Sequence, residues 1–239
     1  MPIKHSALAS VIFFSLVGLA ACNDRLFDNP VDPDAEVRAY EILSTIQVGG
    51  IAPLDLAFSG NALWAVDSLG RVQALNYNSG APIRELEFEP GAAGVAYDGE
   101  DLWLSVSNSS QLALVNIVNG AQIRVLNLLR GSVGPLDHSA GKLYVADRLS
   151  RAVLVVDPLS GAIERSISHP GIAIDGVCFD GVDLWTLDGA QMKIFRIGAD
   201  GTLKNQYQAP SRSASGLAFA SGIFWCGDLA GKIYRLRFP

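Results

Sequence analysis

The side chains best suited to chemistry in this sequence are a group of charged residues near its middle. Asp137 and His138 are adjacent, and Asp147, Arg148 and Arg151 follow them within one short segment. A carboxylate or an imidazole exchanges protons or binds polar groups, whereas a guanidinium group binds carboxylates and phosphates through paired hydrogen bonds. This segment is therefore the first candidate for a ligand site, with an anionic group as its ligand.

Two flanking residues, Arg130 and Asp175, extend this candidate site. We expect Arg130, Arg148 and Arg151 to approach one another and to share a bound carboxylate or phosphate. The alternative is that each arginine pairs with a nearby carboxylate, such as Asp147 or Asp175, on a solvated rim and contributes little. The separation of the three guanidinium groups decides between these interpretations.

Other catalytic signatures are sparse. The sequence has three histidines without a His-x-x-x-His pair, and it has no Gly-x-Ser-x-Gly segment. We therefore assign no catalytic residue and expect no metal ion and no cofactor. Cys178 and Cys226 lie in apolar segments. They fit either buried thiols or a disulfide, which an exported compartment would permit.

The amino terminus has the pattern of an export signal. Lys4 precedes an apolar run over residues 7–19, which is shorter than the roughly 20 residues of a membrane-spanning helix. The run ends in Leu-Ala-Ala-Cys, where small residues suit a signal peptidase. The segment resembles a bacterial lipoprotein signal, which implies removal of residues 1–21 and lipidation of Cys22 as the new amino terminus. An ordinary secretory signal with an incidental cysteine is the alternative.

The next segment, residues 22–39, is acidic and contains Pro30 and Pro33, so we expect a lipidated tether without a core. A calcium loop is the alternative, although its glycine-centred spacing is absent. The lipid would make a membrane the first partner. Asn23 stands where the lipoprotein family has the aspartate that favours retention in the inner membrane. The resemblance thus implies the outer membrane of a bacterial cell envelope, on its periplasmic or surface face.

The remaining chain, residues 40–239, repeats a unit of about 40 residues five times. Each unit contains an aromatic marker that follows a glycine turn. The markers are Trp64, Trp103, Tyr144, Trp185 and Trp225, spaced by 39–41 residues. This period, with short alternating strands joined by tight polar turns, is typical of β-propeller blades.

We therefore predict an all-β fold, a five-bladed β-propeller of four-stranded antiparallel blades. The last unit ends at Pro239 after three strands, whereas residues 41–48 form a strand without a unit of its own. Pairing this amino-terminal strand with the last blade, as its outer strand, closes the ring and leaves no broken sheet. The predicted domain covers residues 40–239, and we expect a monomer.

Propellers usually bind ligands where the central channel opens, among the turns between the second and third strands and the connections between blades. The connections offer Arg130, His169, Asp175 and Arg212. An aspartate recurs near the end of the second strand in four units. These residues are Asp67, Asp147, Asp188 and Asp228. Their repetition around the ring favours a turn-capping role over ligand binding.

Asp137 and His138 interrupt the repeat, because the other units have alanine or cysteine and an aromatic residue at these positions. A buried carboxylate needs a partner, so Asp137 joins a hydrogen-bonded network, contacts a ligand at the channel mouth or takes part in catalysis. Adjacent residues of a strand face opposite sides. We therefore expect the two side chains to diverge.

One family resembles this chain over most of the repeat. Gly176-Val-Cys-Phe-Asp-Gly181, Leu184-Trp185 and Asp188-Gly189 resemble a blade pattern of bacterial glutamine cyclotransferase-like propellers, and residues 136–158 fit another blade. The motifs are also similar to NHL and YVTN repeats. The resemblance implies a propeller fold and, as an alternative function, cyclotransferase-like or lactonase-like activity. At the positions of the family's pocket in the third blade, this chain has Pro135, Ala146 and Arg148.

Charge excludes one class of partner. The chain has 18 Lys+Arg against 24 Asp+Glu, a net charge of −6, and no basic run, so we expect no nucleic-acid partner. The leading hypothesis is a membrane-anchored binding or scaffolding module. Its ligand, an unknown protein or small molecule, would bind at the channel mouth.

Overall fold

The computed structural model describes residues 40–129 and 131–239. The predictions for the signal peptide, Cys22, the tether over residues 22–39 and Arg130 lie outside the described residues. The described part of the chain forms twenty β-strands and contains no helix. The prediction of an all-β fold is confirmed.

The strands form five antiparallel sheets of four strands, which are the blades of a β-propeller. Within each blade, strands are lettered A to D from the centre outward. Blade I consists of β2 (Pro53–Phe58), β3 (Leu63–Asp67), β4 (Val72–Leu75) and β5 (Pro82–Leu86). Blade II consists of β6 (Ala92–Tyr97), β7 (Leu102–Val106), β8 (Gln111–Val115) and β9 (Gln122–Asn127). Blade III consists of β10 (Val133–Ser139), β11 (Lys142–Asp147), β12 (Ala152–Val156) and β13 (Ile163–Ser168).

The last two blades follow the same order, except for one strand. Blade IV consists of β14 (Gly176–Phe179), β15 (Leu184–Asp188), β16 (Lys193–Ile197) and β17 (Leu203–Gln208). Blade V consists of β18 (Ala214–Ala220), β19 (Ile223–Asp228), β20 (Lys232–Arg237) and β1 (Glu41–Gln47). The A strands contact one another in chain order, and β18 returns to β2, which closes a ring of five blades.

The ring is closed by the amino-terminal strand, as the incomplete last unit predicts. β1 pairs antiparallel with β20, with Glu41 opposite Arg237 and Gln47 opposite Lys232. Ile46 is buried in an apolar cluster that contains residues of blades V and I. β1 therefore completes a sheet and also contributes to the joint between the first and last blades.

Five apolar clusters join the blades, and each cluster lies between two neighbours. Each cluster holds one of the aromatic markers. Trp185 of blade IV, for example, packs against Phe224 of blade V with ring centroids 4.7 Å apart. Truncating a buried aromatic side chain costs about 3–5 kcal/mol of stability. Each aromatic marker therefore contributes strongly to the packing between neighbouring blades.

The aspartates at the ends of the B strands cap their turns, which confirms that prediction. In blade I, Asp67 Oδ1 accepts hydrogen bonds from the backbone N–H groups of Leu69 and Arg71, at 2.9 and 3.1 Å. The same role belongs to Asp147, Asp188 and Asp228. Asp147, a predicted ligand residue, thus has a structural task, because its other oxygen accepts from the Ser150 hydroxyl at 2.6 Å.

Arginines at one position of three D strands link neighbouring blades. Arg124 of β9 donates to the carbonyl oxygen of Pro158, in the C–D turn of blade III, at 3.1 Å. Arg84 of β5 reaches the corresponding turn of blade II, and Arg165 of β13 that of blade IV. These links are repeated with the blade period and were not anticipated from the sequence.

Cys178 and Cys226 are both free and buried in the described structure. They lie in the apolar cluster between blades IV and V. The sequence leaves open a disulfide or two buried thiols, and the structure contains two buried thiols.

Candidate functional site

The two ends of the propeller differ in which chain segments they carry. We call the end with the B–C turns and the connections between blades the mouth face, and the end with the A–B and C–D turns the tether face. Tyr40 enters β1 at the tether face, because Glu41 pairs with the last residue of β20, which runs away from the mouth face. The amino-terminal segment therefore joins the propeller opposite the channel mouth.

A buried carboxyl group, that of Asp55 on β2, lies at the centre of the ring. Its side chain is fully buried, and its Oδ2 accepts hydrogen bonds from the N–H groups of Val95 and Leu136, at 3.0 and 3.1 Å. Asp55 thus joins the A strands of blades I, II and III, whose inner edges have no neighbouring strand. Burial raises the pKa of Asp55 well above its ordinary value, and the nearby Asp137 charge adds to the rise.

Asp137 belongs to the same central network. Its Oδ2 accepts a hydrogen bond from the N–H of Phe179 on β14 at 2.8 Å. Burial raises the pKa of Asp137 to about 6, against the opposing effect of the Phe179 hydrogen bond. Of the roles that the sequence allows for Asp137, the geometry is that of a structural network joining blades III and IV.

His138 points away from that network, as the alternation along a strand requires. It lines a hollow of about 470 Å³ on the tether face, together with Asp98, Trp103 and Arg124. Partial burial lowers the pKa of His138, and Asp98 opposes this shift. His138 and Asp137 therefore serve different regions of the molecule.

A cavity of about 220 Å³ opens at the mouth face between blades III, IV and V. It has two guanidinium groups, one carboxylate and serine side chains in an otherwise apolar wall. The lining residues are Leu54, Arg148, Asp175, Gly189, Ala190, Arg212, Ser213, Ala214, Ser215 and Leu229. These residues come mainly from B–C turns and from connections between blades, so the cavity lies where the sequence predicts a ligand site.

The Arg148 guanidinium group lies against the backbone of blade III at Gly134. A Cβ added at Gly134 would lie 2.7 Å from Arg148 Nε and 3.1 Å from its Cζ, so a side chain at this position would displace the exposed guanidinium group. Neither Arg148 nor Arg212 forms a hydrogen bond or ion pair with another side chain within residues 40–129 and 131–239. The cavity therefore contains two cations whose hydrogen-bond donors are available to a ligand.

Asp175 is the carboxylate of the cavity. Its Oδ2 accepts a hydrogen bond from the N–H of Gly189 at 2.9 Å. Burial raises the pKa of Asp175, the Asp188 charge adds to the rise, and the Gly189 hydrogen bond and Arg148 oppose it. A Cβ added at Gly189 would lie 3.1 Å from Asp175 Oδ2 and 2.6 Å from the Ala214 carbonyl oxygen, so this close approach also depends on glycine.

The predicted site residues are only partly brought together. Arg148 and Asp175 line the cavity, whereas Arg151 is exposed outside its lining, in the left-handed region with φ of 53°. Arg130 lies outside the described residues, so the sharing of one anion by three arginines stays a prediction. The second cation of the cavity is Arg212, which the sequence places in a connection at the mouth.

A second polar network lies next to the cavity but is closed to ligands. The His169 ring is buried, its Nδ1 lies 2.9 Å from the Thr186 hydroxyl, and its Nε2 lies 3.8 Å from Asp188 Oδ2. Asp188 Oδ2 also accepts from the Ile172 N–H at 2.6 Å. Burial lowers the pKa of His169, and the Asp188 charge opposes this shift. This network fixes the connection between blades III and IV.

The described residues contain neither a metal-binding cluster nor a helix that could span a membrane. No group of three or more His, Cys, Asp or Glu side chains is arranged to hold a metal ion in residues 40–129 and 131–239. Within those same ranges, no helix has the length and apolar character needed to cross a bilayer.

Comparison with known proteins supports the fold and does not assign a family. No family model and no curated protein matches the sequence. Among solved structures, the glutaminyl cyclase of Myxococcus xanthus is similar with a TM-score of 0.70 and 18% identity, over 84% of this chain and 97% of that one. The resemblance to cyclotransferase-like propellers is thus confirmed for the fold.

Two other propellers are similar at lower scores. A virginiamycin B lyase of Staphylococcus aureus matches with a TM-score of 0.54 and 14% identity, over 78% of this chain and 66% of that one. The WD40 propeller domain of Doa1 matches with a TM-score of 0.55 and 12% identity, over 77% of this chain and 63% of that one. At these identities the likeness concerns the fold alone.

Proposed function

We propose that this chain is an exported, lipid-anchored propeller that binds a small anionic ligand in its mouth cavity. The observation that carries the proposal is the pair of guanidinium groups, Arg148 and Arg212, which line one small cavity and form no hydrogen bond or ion pair with another side chain among the described residues. Two cations held near each other repel, and a carboxylate or phosphate placed between them removes that repulsion and accepts paired hydrogen bonds.

The setting of the cavity adds to this argument. The chain as a whole is acidic, with a net charge of −6, yet this cavity has two cationic groups against one carboxylate. Its volume of about 220 Å³ is below the range of about 300–1,000 Å³ that is usual for drug-sized ligands. The proposed ligand is therefore a small molecule, or one terminal group of a larger partner.

Anchoring through Cys22 would leave this cavity accessible. The chain enters the propeller at Tyr40 on the tether face, and residues 22–39 precede that point. A lipid at Cys22 would therefore be connected to the propeller at the face opposite the mouth. We propose the outer membrane of a bacterial cell envelope as the location.

Titration calorimetry with acetate and with inorganic phosphate tests the binding proposal and distinguishes the two anion types. We expect one of the two to bind the wild-type protein, and we expect Arg148→Met and Arg212→Met each to weaken that binding at least tenfold. Arg237→Met is the matched control, because Arg237 is exposed and pairs with Glu41 at the tether face. Equal anion binding by all four proteins would refute the assignment of the cavity.

The anchoring proposal has its own test. Cys22→Ser removes the thiol that would carry the lipid, so the variant should appear as a soluble or unprocessed protein. The wild-type chain should instead partition into membranes and require detergent for extraction. Recovery of the wild-type chain in the soluble fraction without detergent would contradict lipid anchoring.

Glutaminyl cyclase activity is the second candidate function. The similarity to the Myxococcus xanthus enzyme covers 97% of that chain, and Asp175 provides a carboxyl group with a raised pKa in a cavity at the mouth. Cyclisation of an amino-terminal glutaminyl residue releases ammonia, which an enzyme-coupled assay detects. Ammonia release by the wild-type protein that is lost in Asp175→Asn would favour this function. No release above the buffer rate would leave the binding function alone.

A further inference from the structure

We infer that the ligand of the mouth cavity is a small zwitterion, such as a free α-amino acid, whose carboxylate binds Arg148 and Arg212 while its ammonium group binds Asp175. This inference rests on the proposed function and specifies its ligand. The negative end of the ligand would bind the two arginines of the cavity, and its positive end would bind the aspartate.

The first argument is the presence of Asp175 in a cavity that would otherwise suit a simple anion. A carboxylate in the wall repels an anionic ligand, and partial burial makes its own charge unfavourable. One hydrogen bond, from Gly189, reaches Asp175 Oδ2. No hydrogen bond joins Oδ1 to any group in the described ranges. An ammonium group on the ligand would give Oδ1 a charged hydrogen-bond donor and offset the repulsion.

The second argument comes from the other aspartates of the mouth face. The four turn aspartates use both of their carboxylate oxygens within the fold. For example, Asp228 Oδ1 accepts from two backbone N–H groups and its Oδ2 accepts from the Tyr234 hydroxyl. The others are Asp67, Asp147 and Asp188. Asp175 differs from these four because one of its carboxylate oxygens, Oδ1, accepts no hydrogen bond from the described residues.

The third argument is that the carboxylate end of the site is preorganised. Gly189 makes room for the Asp175 carboxylate. The Asp175 backbone is also fixed, because its N–H donates to Leu187 O at 2.8 Å and its carbonyl accepts from Gly216 N at 2.7 Å. Fixed groups lose little entropy when a ligand binds, which is a feature of built sites.

The size of the cavity fits a short zwitterion. A cavity of about 220 Å³ lies below the range of about 300–1,000 Å³ that is usual for drug-sized ligands. A free amino acid with a small side chain is smaller than such ligands and suits this cavity. A peptide of several residues would extend beyond the cavity.

Calorimetric titration with each standard amino acid in turn is the test. The tightest binder is then compared with its deaminated analogue, which keeps the carboxylate, and with its decarboxylated analogue, which keeps the ammonium group. We expect each analogue to bind the wild-type protein at least tenfold more weakly than the amino acid. Equal binding of the deaminated analogue would overturn the inference and leave the anion proposal intact.

Asp175→Asn is the decisive variant, because the amide is isosteric and still accepts from the Gly189 N–H. It should weaken the amino acid at least tenfold and leave the deaminated analogue bound as well or more tightly, since the repulsive charge is gone. Arg148→Met should weaken both ligands, whereas the Arg237→Met control should change neither. Equal losses of both ligands in Asp175→Asn would overturn the inference. Absence of binding by all amino acids, acetate and phosphate would overturn the proposed function as well.

Discussion

Asp55 should be the carboxyl group on which the closed ring depends most. Its Oδ2 accepts the inner-edge N–H groups of Val95 and Leu136, which have no strand beyond them, at 3.0 and 3.1 Å. Asp55→Ala removes the acceptor and leaves two buried donors unsatisfied. Asp55→Asn keeps an oxygen that accepts from these N–H groups, replaces Oδ1 with an amide nitrogen and removes the ability to ionise. Together, the two variants separate the hydrogen bonds from the charge.

The hydrogen-bond contribution is measured at low pH, because burial raises the pKa of Asp55 and low pH favours its neutral carboxyl group in the folded protein. Each unsatisfied buried N–H costs about 1–3 kcal/mol, so Asp55→Ala should lower the free energy of unfolding by about 2–6 kcal/mol. In a domain of this size, that loss lowers the melting temperature by about 4–24 °C. Asp55→Asn should stay within about 1 kcal/mol of the wild type. Denaturant unfolding followed by tryptophan fluorescence gives these values, and equal losses in both variants would refute the hydrogen-bond role.

The charge contribution appears as a pH dependence. Burial raises the pKa of Asp55 in the folded protein, so the folded state keeps a proton that the unfolded chain has released. The free energy of unfolding should therefore fall as pH rises above about 4, by up to about 1.4 kcal/mol per pH unit, until the folded pKa is passed. Asp137, with a pKa of about 6, adds a similar fall below pH 6 in both proteins. The difference between wild type and Asp55→Asn isolates Asp55, and parallel pH profiles would show that its carboxyl group is not buried.

Three further predictions concern the joints of the ring. Ile46→Ala should lower the free energy of unfolding by about 2–5 kcal/mol, because this side chain of β1 is buried at the closing joint, and an unchanged denaturant midpoint would contradict that closure. Gly171→Ala should lower the free energy of unfolding by about 1–3 kcal/mol, because the alanine Cβ would lie 2.5 Å from His169 Nε2. A calorimetric melting temperature equal to that of the wild type would mean that the connection between blades III and IV is loosely packed. Arg124→Met should cost about 0.5–1.5 kcal/mol through the lost hydrogen bond to Pro158, and a loss above about 3 kcal/mol in urea would show a larger role than this exposed link supports.

The architecture was predictable from the sequence because it depends on periodicity. Five aromatic markers at a spacing of 39–41 residues determine the number of blades, and the three-strand last unit determines how the ring closes. Both features follow from local patterns and from the requirement that no sheet edge is left open. The aspartate turn caps were predictable for the same reason, since capping acts within a few residues of chain.

The centre of the ring was only half predictable. Asp137 stands out because it replaces alanine or cysteine in the repeat. Asp55 carries the same signal, since the other blades have Gly94, Pro135, Gly176 and Gly216 at its position. Which N–H groups these carboxylates reach depends on the distance across the channel, and a one-dimensional pattern does not contain that distance.

The mouth cavity shows the same limit. Arg148 and Asp175 were identified from their charge and their place in the turns, whereas the second cation is Arg212, from a different connection. The repeat places all of these residues at the mouth face but does not say which side chains turn toward the same space. The Arg148 guanidinium group lies in space that the missing side chain of Gly134 leaves open, and a local pattern does not show this close approach.

A crystal structure of the protein grown with its tightest-binding amino acid would locate the ligand. We expect the ligand carboxylate between Arg148 and Arg212, with nitrogen-to-oxygen distances of about 2.7–2.9 Å to both, and the ligand ammonium group at Asp175. Ligand bound instead in the hollow around His138, or an empty mouth cavity in which both guanidinium groups pair with carboxylates of the protein, would contradict this expectation.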